Sequence, residues 1–137
     1  MDIQLINAQR QLPVPCSRLT QLARCAVRRL RIQTRGRLEV TFVSAQKMRQ
    51  LNKRFTKHEG LTDVLSFHYR HEPIVGEILI CPQAAWTYTH RQGPAYRQEL
   101  ARYVVHGLLH WLGYEDRTAA QRTDMRARED QLLSHCG

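Results

Sequence analysis

The 137-residue chain has no apolar run approaching the roughly 20 residues of a membrane-spanning helix. Its start, Met1-Asp2-Ile3-Gln4, is not the basic-then-apolar beginning of a signal peptide. A cytoplasmic protein without a membrane partner is therefore expected. Cysteine is sparse: Cys16, Cys25, Cys81 and Cys136 include no C-x-x-C pair, which excludes a zinc ribbon or a thioredoxin-type couple. In a reducing cytoplasm all four are expected as free thiols, with Cys25 and Cys81 in apolar patterns as small core residues. Ser66 lacks the G-x-S-x-G setting of a serine nucleophile. Repeats, low-complexity tracts and internal linkers are absent too, so residues 1–137 read as one domain, long enough to bury a core without staples.

Acidic residues are scarce in the first half. Residues 1–60 hold 13 Lys or Arg against 3 Asp or Glu, a balance of +10, and the remainder holds 8 against 9. Most of the excess is arginine, which grips phosphate in bidentate fashion and stacks on bases. A polyanionic partner follows, and RNA fits better than a membrane surface because these arginines are not set against a strongly apolar exposed face. A solvated basic surface is the bland alternative.

The remaining pattern is α+β: a central, roughly four-stranded mixed sheet packed with about five helices. Asp2–Asn7 alternates like a half-buried strand. Ser17 is placed to cap a basic helix whose apolar positions are Leu19, Leu22, Ala23, Ala26 and Leu30. Arg37–Val43 is a second strand, and Ser44 caps a helix with the stripe Met48, Leu51, Phe55, expected in the core. Lys47, Arg49, Lys53 and Arg54 occupy its other faces, with Lys57 just beyond. Glu59-Gly60 marks a turn, Thr62–Phe67 and Val75–Cys81 are strands, and Ile78-Leu79-Ile80 suggests cover on both faces. Pro82 begins a short helix over 83–91. Tyr96–Leu112 is the longest helical pattern, apolar on nearly every side, and Ala119–Ser134 closes the chain as a packing helix.

Chemistry is specified in one place, Val104 to Asp116. His106 and His110 are four apart on a helix, so both imidazoles lie on one face, one turn apart. Gly113 can take the left-handed conformation that ends the helix, and Asp116 can return as a third ligand. The result, H-x3-H-x2-G-x2-D, has the ligand layout of a zincin-like helix, and three protein ligands leave a fourth position for water. Two histidines in an apolar helix can also be core residues; the glycine and carboxylate at these offsets favour metal. Metalloproteases carry a glutamate base after the first histidine, where this chain has Gly107. His58, His68, His71, His90 and His135 have no partner at ligand spacing; only His68 invites a check against the metal.

His106–Asp116 resembles the H-G-x-L-H-L-x-G-Y-D-H signature of the YbeY family, bacterial single-strand endoribonucleases of ribosomal RNA maturation. Leu51-Asn52, Thr62-Asp63-Val64-Leu65-Ser66-Phe67 and Gly76-Glu77-Ile78-Leu79-Ile80 agree in the same order. The resemblance implies one Zn2+ ion held by His106, His110 and Asp116, single-stranded ribosomal RNA as substrate, and the ribosome or its small subunit as partner. It also puts the second helix beside the active-site cleft, which makes Lys47, Lys53, Arg54 and Lys57 the candidate phosphate contacts. The chain departs from the family's usual residues at Asp116 (His), Glu115 (Asp), Thr56 (Arg), Trp111 (Leu), Leu61 (Pro) and His68 (Pro).

A metal in this group can polarise a phosphodiester oxygen and acidify water. Glu115 is the candidate for proton transfer, although a plain turn residue is an equal reading; Arg54 or Lys57 would neutralise developing charge on phosphate. The leading expectation is a metal-dependent endoribonuclease. A non-catalytic RNA-binding factor that keeps the fold is the alternative, and a small metallopeptidase is disfavoured by Gly107.

Overall fold

Alternation and helical spacing resolve into nine elements in a computed structural model that describes residues 1–56 and 63–137. In order they are β1 (Asp2–Asn7), α1 (Cys16–Arg29), β2 (Arg37–Phe42), α2 (Ala45–Thr56), β3 (Val64–His68), β4 (Ile74–Ile80), α3 (Pro82–Tyr88), α4 (Gly93–Trp111) and α5 (Ala119–Cys136). The strands form one mixed sheet in the order β1-β2-β4-β3. β1 runs parallel to β2 and β2 to β4, whereas β3 is antiparallel to β4, so β3 is an edge. The expected turn at Glu59-Gly60, the start of the third strand at Thr62, and Lys57, His58 and Leu61 lie outside the described residues.

Side-chain alternation sorts the sheet into two faces. Leu38, Val40 and Phe42 of β2 and Ile78 and Ile80 of β4 point into the larger core with α1, α4 and α5. Leu79, with Val43 and Cys81 just past the strand ends, packs instead with Met48 of α2. Ile78, Leu79 and Ile80 are all buried, as their unbroken apolar run predicts. α4 is the axis of the larger core: Leu100, Val104, Val105, Leu108 and Leu109 are fully buried, which explains why it is apolar nearly all round. No helix among the described residues is long and apolar enough to cross a membrane.

Several sequence expectations need correction. α1 starts at Cys16 after Pro15 with no side-chain cap, so Ser17 sits in its first turn; proline's fixed φ and missing N–H suit the position before a helix. Ser44 does cap α2, accepting from the Lys47 amide at 3.2 Å. Phe55, expected in the core, is 53% exposed and meets the edge of Phe67, with centroids 5.2 Å apart. The four free thiols are corrected as well: Cys25 and Cys136 form a disulfide, because α1 and α5 pack side by side and bring their Cα atoms within 5.7 Å across a separation of 111 residues. Cys16 and Cys81 are free, and Cys81 is buried.

Candidate metal centre

His106 and His110 project from the last turns of α4, their rings 4.5 Å apart and close to perpendicular. The helix ends in a Schellman motif: the Gly113 amide donates to the His110 carbonyl at 2.9 Å and the Tyr114 amide to that of Leu109 at 3.0 Å. Gly113 has φ of +105°, the left-handed region that its sequence position called for. That bend carries Asp116 back over the helix. Its Oδ2 lies 3.3 Å from Nε2 of His110 and 3.7 Å from Nε2 of His106. One atom from each of the three residues falls within 4.8 Å of the others. Ligands about 2.1 Å from a tetrahedral ion stand roughly 3.4 Å apart, so the donors and their spacing fit a divalent ion such as zinc.

A fourth residue was missed at the sequence level. Glu129 of α5 is only 4% exposed, and its Oε2 pairs with Nδ1 of His106. Its Oε1 accepts from Arg102 at 2.9 Å, and the other Arg102 nitrogen donates to Asp130 at 2.7 Å. Burial lowers the His106 pKa, but the hydrogen bond and charge of Glu129 outweigh it and hold the pKa above the ordinary 6.5. Glu129 is the converse: burial raises its pKa, and the bonds from His106 and Arg102 bring it below 4.5. The available signal was a charge on the inward stripe Met125, Glu129, Leu132, spaced like apolar core positions.

Gly107 faces the sheet. A Cβ there would stand 2.6 Å from Cγ2 of Ile78 and 3.2 Å from Cγ1 of Val64, and the Gly107 carbonyl accepts from Ser66 Oγ at 3.3 Å. The position where peptidases place their base is therefore the contact that seats α4 on β3 and β4, with no space for a side chain.

A profile of the family described as Endoribonuclease YbeY matches residues 4–137. The chain belongs to the YbeY family. Proteins named Endoribonuclease YbeY from Micrococcus luteus and Staphylococcus aureus are 30% and 31% identical to it, covering 98% and 77% of this chain and 91% and 76% of their own lengths. A solution structure from Thermotoga maritima, 22% identical, shares the fold with a TM-score of 0.59 over 97% of this chain and 90% of that one.

Two of the departures from usual YbeY residues meet each other. His68 stacks on Trp111 with centroids 4.9 Å apart and an 8° interplanar angle, and the indole covers Gly76, where a Cβ would lie 2.1 Å from Nε1. His68 is thus engaged in packing and is not in the converging group. Glu115 is exposed on the loop beside Asp116 and is likewise outside it.

The basic candidates on α2 lie across the sheet from the histidines. Lys47, Lys53 and Arg54 are exposed. Lys47 borders a cavity of about 600 Å3 with Phe55, Phe67 and Tyr69, and the Arg54 guanidinium sits 5.3 Å over the Phe55 ring. Arg49, equally exposed, has different neighbours. It lines a cavity of about 810 Å3 with Asp63, Tyr88 and Tyr103, and the Asp63 charge acts on both Tyr103 and His106. Arg49 is the α2 cation that the structure sets in a cleft leading to α4.

Proposed function

We propose that this chain is a zinc-dependent endoribonuclease of residues 1–137, cutting single-stranded regions of ribosomal RNA in the cytoplasm and working on the ribosome or its small subunit. The observation that carries this reading is the convergence of His106, His110 and Asp116 at the end of α4 in a member of the YbeY family. When bound there, zinc supplies Lewis acidity toward a phosphodiester oxygen and toward water.

The chain's own groups divide the remaining work. His106 and His110 would hold the ion through Nε2, the nitrogens that face Oδ2 of Asp116, and Asp116 would add a negative charge that a third histidine would not, leaving the centre less positive. Arg49, in the cleft that also holds Asp63, is one cation that would meet a phosphate there. Lys47, Lys53, Arg54 and Lys57 would hold flanking phosphates, and Glu115, exposed next to Asp116, could pass a proton to or from solvent. A binding factor without cleavage is the second reading, favoured by Thr56 at the position where the family usually has arginine.

Incubating zinc-loaded protein with single-stranded and structured RNA separates the two. Cleavage of single-stranded RNA that disappears with chelator and in His110→Ala is expected. Salt-sensitive RNA retention with no metal-dependent cleavage would make the chain a binder.

A further inference from the structure

Resting on the metal reading above, we infer that Glu129 is a positioning residue of the centre: it holds the Nδ1 proton of His106, so that Nε2 is the nitrogen offered to the ion, and Arg102 holds Glu129 in place.

Carboxylates are rarely buried without partners, and Glu129 has one for each oxygen. Oε1 is taken by Arg102 and Oε2 by His106. Arg102 is fixed in turn by Asp130, which gives a chain His106–Glu129–Arg102–Asp130 that crosses between α4 and α5 three times. A tie between the helices needs only the arginine and its two carboxylates. The histidine contact adds something specific, because a neutral imidazole carries one proton and an acceptor on Nδ1 draws it there. Nε2 is then unprotonated and faces Oδ2 of Asp116. An ionised partner also makes the imidazole a better donor to metal, and loss of such an outer partner typically costs 10–100-fold in affinity. Glu129 itself is outside the converging ligand group, so it acts through His106. The two histidines are unequal in this respect: His106 is anchored from behind, whereas among the described residues the side-chain polar contact of His110 is to Asp116 itself.

The test is a zinc titration against a chromophoric chelator with wild type, Glu129→Gln and Glu129→Ala, each checked for folding by circular dichroism. A roughly 10–100-fold weaker affinity is expected in Glu129→Ala, with a smaller loss in Glu129→Gln, whose amide oxygen can still accept from Nδ1. The visible bands of the cobalt-substituted protein should shift in both variants, a signature that a purely structural tie would not move. Folded variants binding zinc within twofold of wild type would overturn the inference. Histidine 15N spectra of the zinc-loaded wild type are decisive if neither variant folds: a proton on Nδ1 of His106 supports the role and a proton on Nε2 refutes it. A wild type that binds no more zinc than His110→Ala would instead bring down the metal reading and this inference together.

Discussion

On the α4 face of the sheet, side chains with chemical potential are held from several directions. His106 is fixed by Glu129, Glu129 by Arg102, and α4 itself by the contact of Gly107 with Ile78 and Val64. On the α2 face, among the described residues, no ion pair ties Lys47 or Lys53, both of which are exposed, and Phe55 leaves the core. Metal ligation tolerates displacements of only a few tenths of an ångström, whereas a polyanion is attracted through a field that long flexible cations supply from many positions. On the proposed reading the α4 face would serve chemistry and the α2 face capture, with Arg49 lining the cleft that also holds Asp63.

Placing the same side chain on both faces exposes the contrast most directly. Gly107→Glu should destabilise the protein by about 3 kcal/mol or more, since it overpacks the seat of α4 and buries a charge without a partner. Gln50→Glu, on the exposed surface of α2, should stay within about 0.5 kcal/mol. Denaturant midpoints measure both. A well-folded Gly107→Glu protein would mean that α4 can move off the strands, and the rigid half of the contrast would fail.

Cations within α2 are expected to differ by a smaller amount. Arg49→Ala is expected to reduce kcat/KM on a single-stranded RNA about tenfold, equivalent to about 1.4 kcal/mol. Lys53→Ala should cost only about two- to threefold, chiefly in binding, and lower the salt slope by about 1. Equal effects would deny Arg49 its special place and move the path of the RNA onto the α2 groove.

What could be read from the sequence was whatever local spacing determines. The i, i+4 histidines, the glycine bend and the carboxylate three residues later are all within eleven residues, and the structure brings them together as expected. Strand alternation and the run Ile78-Leu79-Ile80 likewise settled which segments form the sheet. Long-range pairing was not legible. Glu129 is 23 residues from His106, and Cys136 is 111 from Cys25; nothing local identifies either partner, since each depends on how α5 packs. The stack of His68 on Trp111 is similar: each residue looks like an isolated departure from the family until β3 and α4 are seen in contact. Phe55 failed for a different reason, because a helical stripe shows which residues share a face but not where the surface beneath it ends.

The smallest expected effect concerns pH in the metal-free protein, and it again singles out the α4 face. His106 is pulled down by burial but raised overall by Glu129, with Asp63 and Asp116 adding to the same direction. A raised histidine stabilises the fold fully below the unfolded pKa of 6.5, and that contribution is lost as pH rises through the higher folded value. Glu129 is raised by burial but lowered overall by His106 and Arg102, so its contribution is present above 4.5 and is lost as pH falls through the lower folded value. The pair is therefore most stabilising between 4.5 and 6.5. With chelator present, the denaturant midpoint should decline as pH is raised above that window. In Glu129→Gln the decline should shrink, because the neutral amide no longer favours imidazolium, while every α2 residue is unchanged. A midpoint that instead climbs with pH in the metal-free wild type would show that His106 is held neutral by its surroundings, and the tether that distinguishes this face from the other would have no electrostatic content.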